Sequence, residues 1–250
     1  MPPAHPRTSP LSQPCAIRDF DSTWTVAREF DGWLTDDQAR LLWSCARELP
    51  AGSTVVEIGS HQAKSTSVLA AALEGRDCRL TAVDPHEEGF GPGHAVARAN
   101  FERNLGRLGL RDFVHLIPEF SSELRARWQE PIDMFYIDGA HDYRNVVHDL
   151  AWLPHVRAGS VVLMHDAFSS VGVTAALLTK VLPGRSLRYV DRAQSLARFE
   201  LSPPTARDRL RMLGQLPWFL RNVTIKILMV LRLHWAARVL GHGQGRDFPF

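Results

Sequence analysis

Cysteine is scarce in this chain of 250 residues. Cys15, Cys45 and Cys78 are odd in number and have neither disulfide nor metal-ligand spacing, which suits a reducing compartment and a cytoplasmic location. Charge of either sign is nearly balanced. A net +2 argues against nucleic acid as a partner. No uncharged apolar run reaches the ~18 residues a membrane-spanning helix needs. The first residues carry four prolines before Leu11 and no apolar core. A signal peptide is therefore not expected there, and 1–16 read as a disordered leader. No internal repeat marks a solenoid.

What is present is ordinary globular material, 45% apolar and 22% charged, enough for one α/β domain with appendages. Thr54 to Asp84 is its centre. A β-branched run ends in Glu57-Ile58-Gly59, a polar loop leads to Ser65-Thr66 and an Ala/Leu-rich helix, and Leu80–Val83 ends on Asp84. That is a βαβ unit with one carboxylate at each strand end. Before it, Ile17–Trp33 has no clear period, whereas Thr35 and Gln38 form a capping box for a helix to Glu48. After it, helices at His94–Leu108, Ser122–Trp128 and Tyr143–Leu153 alternate with strands at Phe113–Ile117, Ile132–Ile137 and Ser160–Met164. Short connections with this alternation predict a parallel, doubly wound sheet. A helix over Val173–Val181 is followed by Leu187–Asp191 and Leu196–Leu201, which read as an antiparallel edge hairpin.

Glycine is missing where a pyrophosphate loop would need it. After Gly59, His61 and Lys64 occupy positions that G-x-G-x-x-G reserves for glycine. A carboxylate two residues before Gly59 instead suits an ammonium group, and Asp84 suits a ribose diol. Amino acid plus ribose describes S-adenosylmethionine. The strings V-V-E-I-G-S-x-x-A-K-S-T, A-V-D-P, F-Y-I-D-G-A-H-D-Y and L-M-H-D, in that order, resemble a class I S-adenosylmethionine-dependent methyltransferase. More narrowly, they are similar to small-molecule and sugar O-methyltransferases with an I-D-G-x-H-x-Y signature. The resemblance covers Thr54–Asp166. It implies a Rossmann-like domain over 50–201, with Glu57 and Gly59 at the methionine end of the cofactor and Ser60, Ser65 and Thr66 around it. Asp84 would bind the ribose, Ser121 and Phe120 the adenine, and Asp138 would stand beside the cofactor. One departure is Ala63, where the family commonly carries glycine.

Asp138 and Asp166 leave the fourth and fifth strands, so their carboxylates should face one crevice. Singly, each suits a helix cap; with Glu57 and Asp84 at matching strand ends they suit a site. Methyl transfer needs the acceptor positioned and its hydroxyl deprotonated. Either His141 takes that proton, with Asp138 beside it, or a divalent ion (Mg²⁺ or Mn²⁺) held by Asp138, Asp166 and His165 lowers the hydroxyl pKa. The expected reaction is methylation of a hydroxyl on a small molecule, a sugar or glycosylated metabolite among the candidates. A nicotinamide-dependent oxidoreductase and a non-catalytic, membrane-apposed binding protein are the rivals.

Residues 17–49 read as a helical lead-in, and 202–250 as a basic, apolar, helical tail. Arg209–Leu240 contains no acidic residue. The tail suits either a peripheral contact with anionic lipid or docking on the domain or on a second subunit. Trp43, Trp128 and Trp152 read as core, and His148 and His155 as surface residues.

Overall fold

The computed structural model describes residues 18–86 and 94–241. The leader, the Glu87–Gly93 loop and the last residues of the tail lie outside these. The chain begins with α1 (Phe20–Ala27), capped by Asp19, whose carboxylate accepts from the Ser22 N–H. Phe20, Thr23, Trp24 and Ala27 are buried at helical spacing. The sequence reading left this stretch unassigned because a polar threonine sits in the apolar stripe. In α2 (Asp36–Arg47) the capping box forms as expected. Gln38 also donates its side-chain N–H to Ser195 Oγ at 2.9 Å, tying the lead-in to the far edge of the sheet.

The sheet is built from β1 (Thr54–Ile58), β2 (Arg79–Val83), β3 (Val114–Ile117), β4 (Ile132–Ile137), β5 (Val156–Met164), β6 (Leu187–Ala193) and β7 (Leu196–Leu201). Its order is β3-β2-β1-β4-β5-β7-β6. The first five strands are parallel, and β7 pairs antiparallel with both β5 and β6. The expected doubly wound sheet with an antiparallel edge is therefore present. Two strands are longer than expected. β5 starts at Val156, and its exposed first half, with Gly159 at φ +83°, hides the strand pattern. β6 runs on to Ala193 before a tight turn at Gln194.

Between the strands lie α3 (Lys64–Leu73), α4 (His94–Arg107), α5 (Ser121–Arg125), α6 (Tyr143–Leu150) and α7 (Val171–Ala176). α6 stops earlier than the sequence pattern suggests, and Leu153–His155 forms a 3₁₀ turn carrying Pro154. Side chains of β4 alternate between two cores. Met134 and Tyr136 join Leu42, Leu69 and Phe101 on one face, while Phe135 and Ile137 join Trp152, Phe168 and Phe199 on the other. Trp152 is fully buried, and Trp43 and Trp128 pack at the core margins. His148 is exposed, whereas His155 is half-buried against the Trp152 ring. The tail forms three helices, α8 (Ala206–Leu213), α9 (Leu216–Val230) and α10 (His234–Val239). No helix among the described residues is long and apolar enough to cross a membrane.

The strand order reverses between β1 and β4, and ligands of such sheets collect at the carboxyl ends flanking that point. There the chain is tightly constrained. Gly59 has φ +85°, and a Cβ on it would lie 2.2 Å from the Asp138 carbonyl oxygen. Gly52 shares the positive φ, at +80°, but a Cβ there would meet nothing within 4 Å. Gly52→Ala should cost only the conformational strain, about 1 kcal/mol, whereas Gly59→Ala should cost at least ~3 kcal/mol. Urea unfolding of both variants measures the difference. Equal costs would mean that the Gly59–Asp138 approach is not a constraint.

Candidate active site

Each strand end near the reversal point is fastened one residue past the strand. Asp84 N donates to Ile117 O, Gly59 N to Val83 O, Asp138 N to Ile58 O and His165 N to Ile137 O, at 2.8–3.3 Å. The row brings the ends of β1, β2, β4 and β5 to one cavity of about 750 Å³. Gly59, Ser60, Ser65, Asp84, Ser121, Asp138, His141, His165 and Asp166 all line it, as does Phe120.

Glu57 and Thr66 do not line it. Glu57 is 0% exposed and faces back beneath the loop. Its carboxylate accepts from Ser65 Oγ at 2.5 Å and from Thr66 Oγ1 at 2.6 Å. Burial pushes its pKa up to about 8, against the pull of the two hydroxyls. The expectation that Glu57 meets an ammonium group directly is therefore corrected. It acts as the anchor for the first turn of α3. That helix has no side-chain cap, because its N-cap residue is Ala63, held at φ +68°. This left-handed conformation explains why glycine would suit the position. The first amides of α3 consequently have no side-chain acceptor competing for them. Ser60 Oγ, buried and without a hydrogen-bond partner, faces the cavity. Asp84 accepts from the backbone amides of His61 at 2.8 Å and His86 at 3.0 Å, which fixes its carboxylate at the rim.

On the other side of this loop, Ser121 donates to Asp149 Oδ1 at 2.6 Å. Asp149 is buried on α6, which raises its pKa to about 6 despite that hydroxyl. Sequence reading missed Asp149 because nothing distinguishes it from a polar helix residue; only the fold turns it toward Ser121.

The opposite wall carries the charged cluster. His141 Nδ1 lies 2.8 Å from Asp166 Oδ2, and its Nε2 lies 3.5 Å from Asp138 Oδ1. His165 Nδ1 lies 3.1 Å from Asp138 Oδ1, without the alignment of a hydrogen bond. Tyr136, fully buried, donates its hydroxyl to Asp138 Oδ2 at 2.7 Å. Burial alone would raise Asp138, yet the imidazoles of His165 and His141 hold its pKa down at about 2. Burial alone would lower His141, yet hydrogen bonds to Asp138 and Asp166 raise its pKa to about 10. His165 is likewise raised against burial by Asp138. The cluster thus sets two carboxylates held low against two imidazoles whose protonated forms they favour.

This corner also fits a cation. Ligand atoms of Asp138, His141 and His165 lie within 4.8 Å of one another. Both His165 nitrogens and Asp166 Oδ1 are buried without a hydrogen-bond partner. The three-residue group contains His141 where the sequence pointed to Asp166, which stands behind it with Oδ2 on His141 Nδ1. Two nitrogens and one carboxylate favour a first-row transition ion such as Mn²⁺ over Mg²⁺. Two further walls complete the cavity: Asp31, Gly32, Trp33 and Leu34 come from the lead-in, and Lys226 from α9.

The pKa of Glu57 links the site to stability. Its value of about 8 in the folded chain exceeds the ordinary 4.5, so the folded state holds a proton that the unfolded state releases between those values. The stabilisation is complete below pH 4.5 and is lost as pH rises through 8, with a slope approaching ~1.4 kcal/mol per pH unit. Glu57→Gln should abolish this slope. Unfolding of both proteins across that window should show wild type losing stability relative to the variant as pH rises; parallel curves would refute the assignment.

Residues 56–167 match a family model described as a methyltransferase domain. Among solved structures, the O-methyltransferase TomG from Streptomyces achromogenes, involved in tomaymycin synthesis and solved with S-adenosylmethionine, is 21% identical. The match covers 77% of this chain and 93% of that one, with a TM-score of 0.53. An O-methyltransferase from Bacillus cereus, solved with S-adenosylhomocysteine, is 18% identical over 74% of this chain and 90% of that one, with a TM-score of 0.51. A Corynebacterium glutamicum protein is 15% identical over 76% and 94%, with a TM-score of 0.57. The chain thus has the Rossmann-like fold of these methyltransferases, and its segment 56–167 is similar in sequence to a methyltransferase domain.

Proposed function

We propose that the chain is an S-adenosylmethionine-dependent O-methyltransferase whose acceptor is a hydroxyl of a small molecule, of the sugar or glycosylated-metabolite class. The observation that carries this reading is one cavity with two unlike walls. Gly59, Ser60 and Asp84 offer a polar cradle, and Asp138, His141, His165 and Asp166 offer acid–base groups across it. The missing glycines after Gly59 and the fixed Asp84 carboxylate weigh against a nicotinamide site.

The donor supplies an electrophilic methyl group on a sulfonium, so the protein has only to hold it, align a hydroxyl and remove a proton. The orphaned Ser60 Oγ and the first amides of α3 suit the polar end of such a donor. For proton removal, Asp166 holds His141 Nδ1–H, leaving Nε2 as the accepting atom, in the manner of an Asp–His pair. Asp138, fixed by Tyr136, stabilises the imidazolium that results. With its pKa at about 10, His141 is a strong base that is mostly protonated at neutral pH. The cluster supports a second reading, in which Asp138, His141 and His165, with Asp166 behind His141, hold a divalent cation. When bound, such an ion would lower the acceptor's hydroxyl pKa. The two roles compete for His141.

S-adenosylhomocysteine should raise the melting temperature, and NADH and NADPH should not; the reverse would overturn the reading. Methyl transfer should rise with pH toward about 10, as His141 loses its resting proton. His141→Ala should lower kcat by about 10²–10⁴-fold while leaving S-adenosylhomocysteine binding intact. Activity persisting in chelator assigns His141 as the base; activity lost in chelator and restored by Mn²⁺ assigns it to the ion.

A further inference from the structure

The tail helices are amphipathic in an unusual direction. Their buried face is narrow, with Asn222, Ile225 and Ala237 at its centre. Their exposed face is apolar. Leu220, Ile227, Val230 and Leu231 on α9 continue into Trp235 and Val239 on α10, with Val230 83%, Trp235 71% and Val239 79% exposed. Leu220, Ile227 and Val230 lie seven and three residues apart on α9, and Trp235 and Val239 four apart on α10, so within each helix these exposed groups share a face.

The four basic residues from α9 to α10 divide into two sets. Lys226 donates to Ser169 O at 3.0 Å, and Arg221 donates to Leu240 O at 2.7 Å and to Asn222. These two fasten the tail to the domain and α9 to α10. Arg232 and Arg238 are exposed and stand among the exposed apolar residues. No acid occurs from Arg209 to Leu240 to balance them. Four basic residues without a common helical face resolve, in the folded chain, into two structural ties and two surface charges.

We infer that the α9–α10 stripe is a docking face for the surface of an anionic lipid bilayer. Apolar side chains enter the headgroup boundary, while Arg232 and Arg238 meet lipid phosphates. Charge complementarity selects this occupant: a second copy would bring the same two arginines against themselves unless the pairing were offset. α9 spans Leu216 to Val230 and is interrupted by Arg221 and Lys226, so it lies on the surface and does not cross. The inference does not depend on the methyltransferase reading, since its readout is binding to lipid.

The test is flotation of the full chain with vesicles of phosphatidylcholine alone or of phosphatidylcholine with phosphatidylglycerol. Binding should favour the anionic vesicles at least tenfold and should fall as salt approaches ~1 M, where the Debye length is about 3 Å. At about fivefold per basic residue, R232E/R238E should weaken binding at least ~25-fold. Val230→Ser with Val239→Ser should weaken it at either charge. Quenching by brominated lipid should drop in Trp235→Phe. Unchanged circular dichroism and unchanged S-adenosylhomocysteine affinity would show that the variants remain folded. Absence of binding to anionic vesicles overturns the inference. So does light scattering that shows a dimer dissociated by the Val230 and Val239 substitutions.

Discussion

Four backbone hydrogen bonds carry the sheet one residue past its strands, from Asp84, Gly59, Asp138 and His165 to the last carbonyls of β3, β2, β1 and β4. Each of these residues is thereby held in the row before its side chain makes any contact. The row brings the Asp138 carbonyl so close to Gly59 that no Cβ fits between them. A residue with a side chain at position 59 would push the ends of β1 and β4 apart. It would thus separate the cradle from the charged cluster at once. The chemistry on the two sides of the cavity is coupled through this single backbone contact.

The buried carboxylates around that contact are kept in two different states. Glu57 has only hydroxyl donors and no cation, and its pKa of about 8 keeps it protonated at neutral pH. Desolvation wins there because two neutral hydrogen bonds do not offset the transfer of a charge into the core. Asp138 is buried with two imidazoles in reach, and the balance reverses. The result is a neutral acid under the loop and a charged, paired cluster across the cavity.

The parallel, doubly wound sheet and its edge hairpin were legible in the sequence because β-branched runs and short connections alternate cleanly from Thr54 to Met164. The row of strand-end residues was legible for the same reason: once a strand is placed, its exit residue is placed too. Glu57 was misjudged because spacing reports which residue ends a strand, not which way its side chain turns. The alternation of β1 sends Glu57 under the loop, where Ser65 and Thr66 reach it. Asp149 was invisible because only the fold turns this helix residue toward the cavity and toward Ser121, 28 residues away in sequence. The lead-in read as helical, but α1 had no clear period in it because Thr23, polar by type, is buried by position.

Two walls of the cavity come from outside the segment that resembles a methyltransferase domain, and a lysine adds a tie to each. Lys64, on α3, reaches out to the Gly32 carbonyl of the lead-in at 3.0 Å. Lys226, on α9, reaches in to the Ser169 carbonyl at the same distance. Burial lowers the pKa of Lys64, so its ammonium depends on that carbonyl and on the charge of Asp31 nearby. Single ties of this kind contribute about 1.5–3 kcal/mol each. They are strong enough to place Trp33 and the α9 helix at the cavity, yet independent of the hydrogen bonds that align the strand ends. The lead-in and the tail thus line the cavity through contacts separate from those that align Gly59, Asp84 and the Asp138–His141 pair. This separation gives a physical reason why the sequence speaks clearly about the cradle and says little about the acceptor.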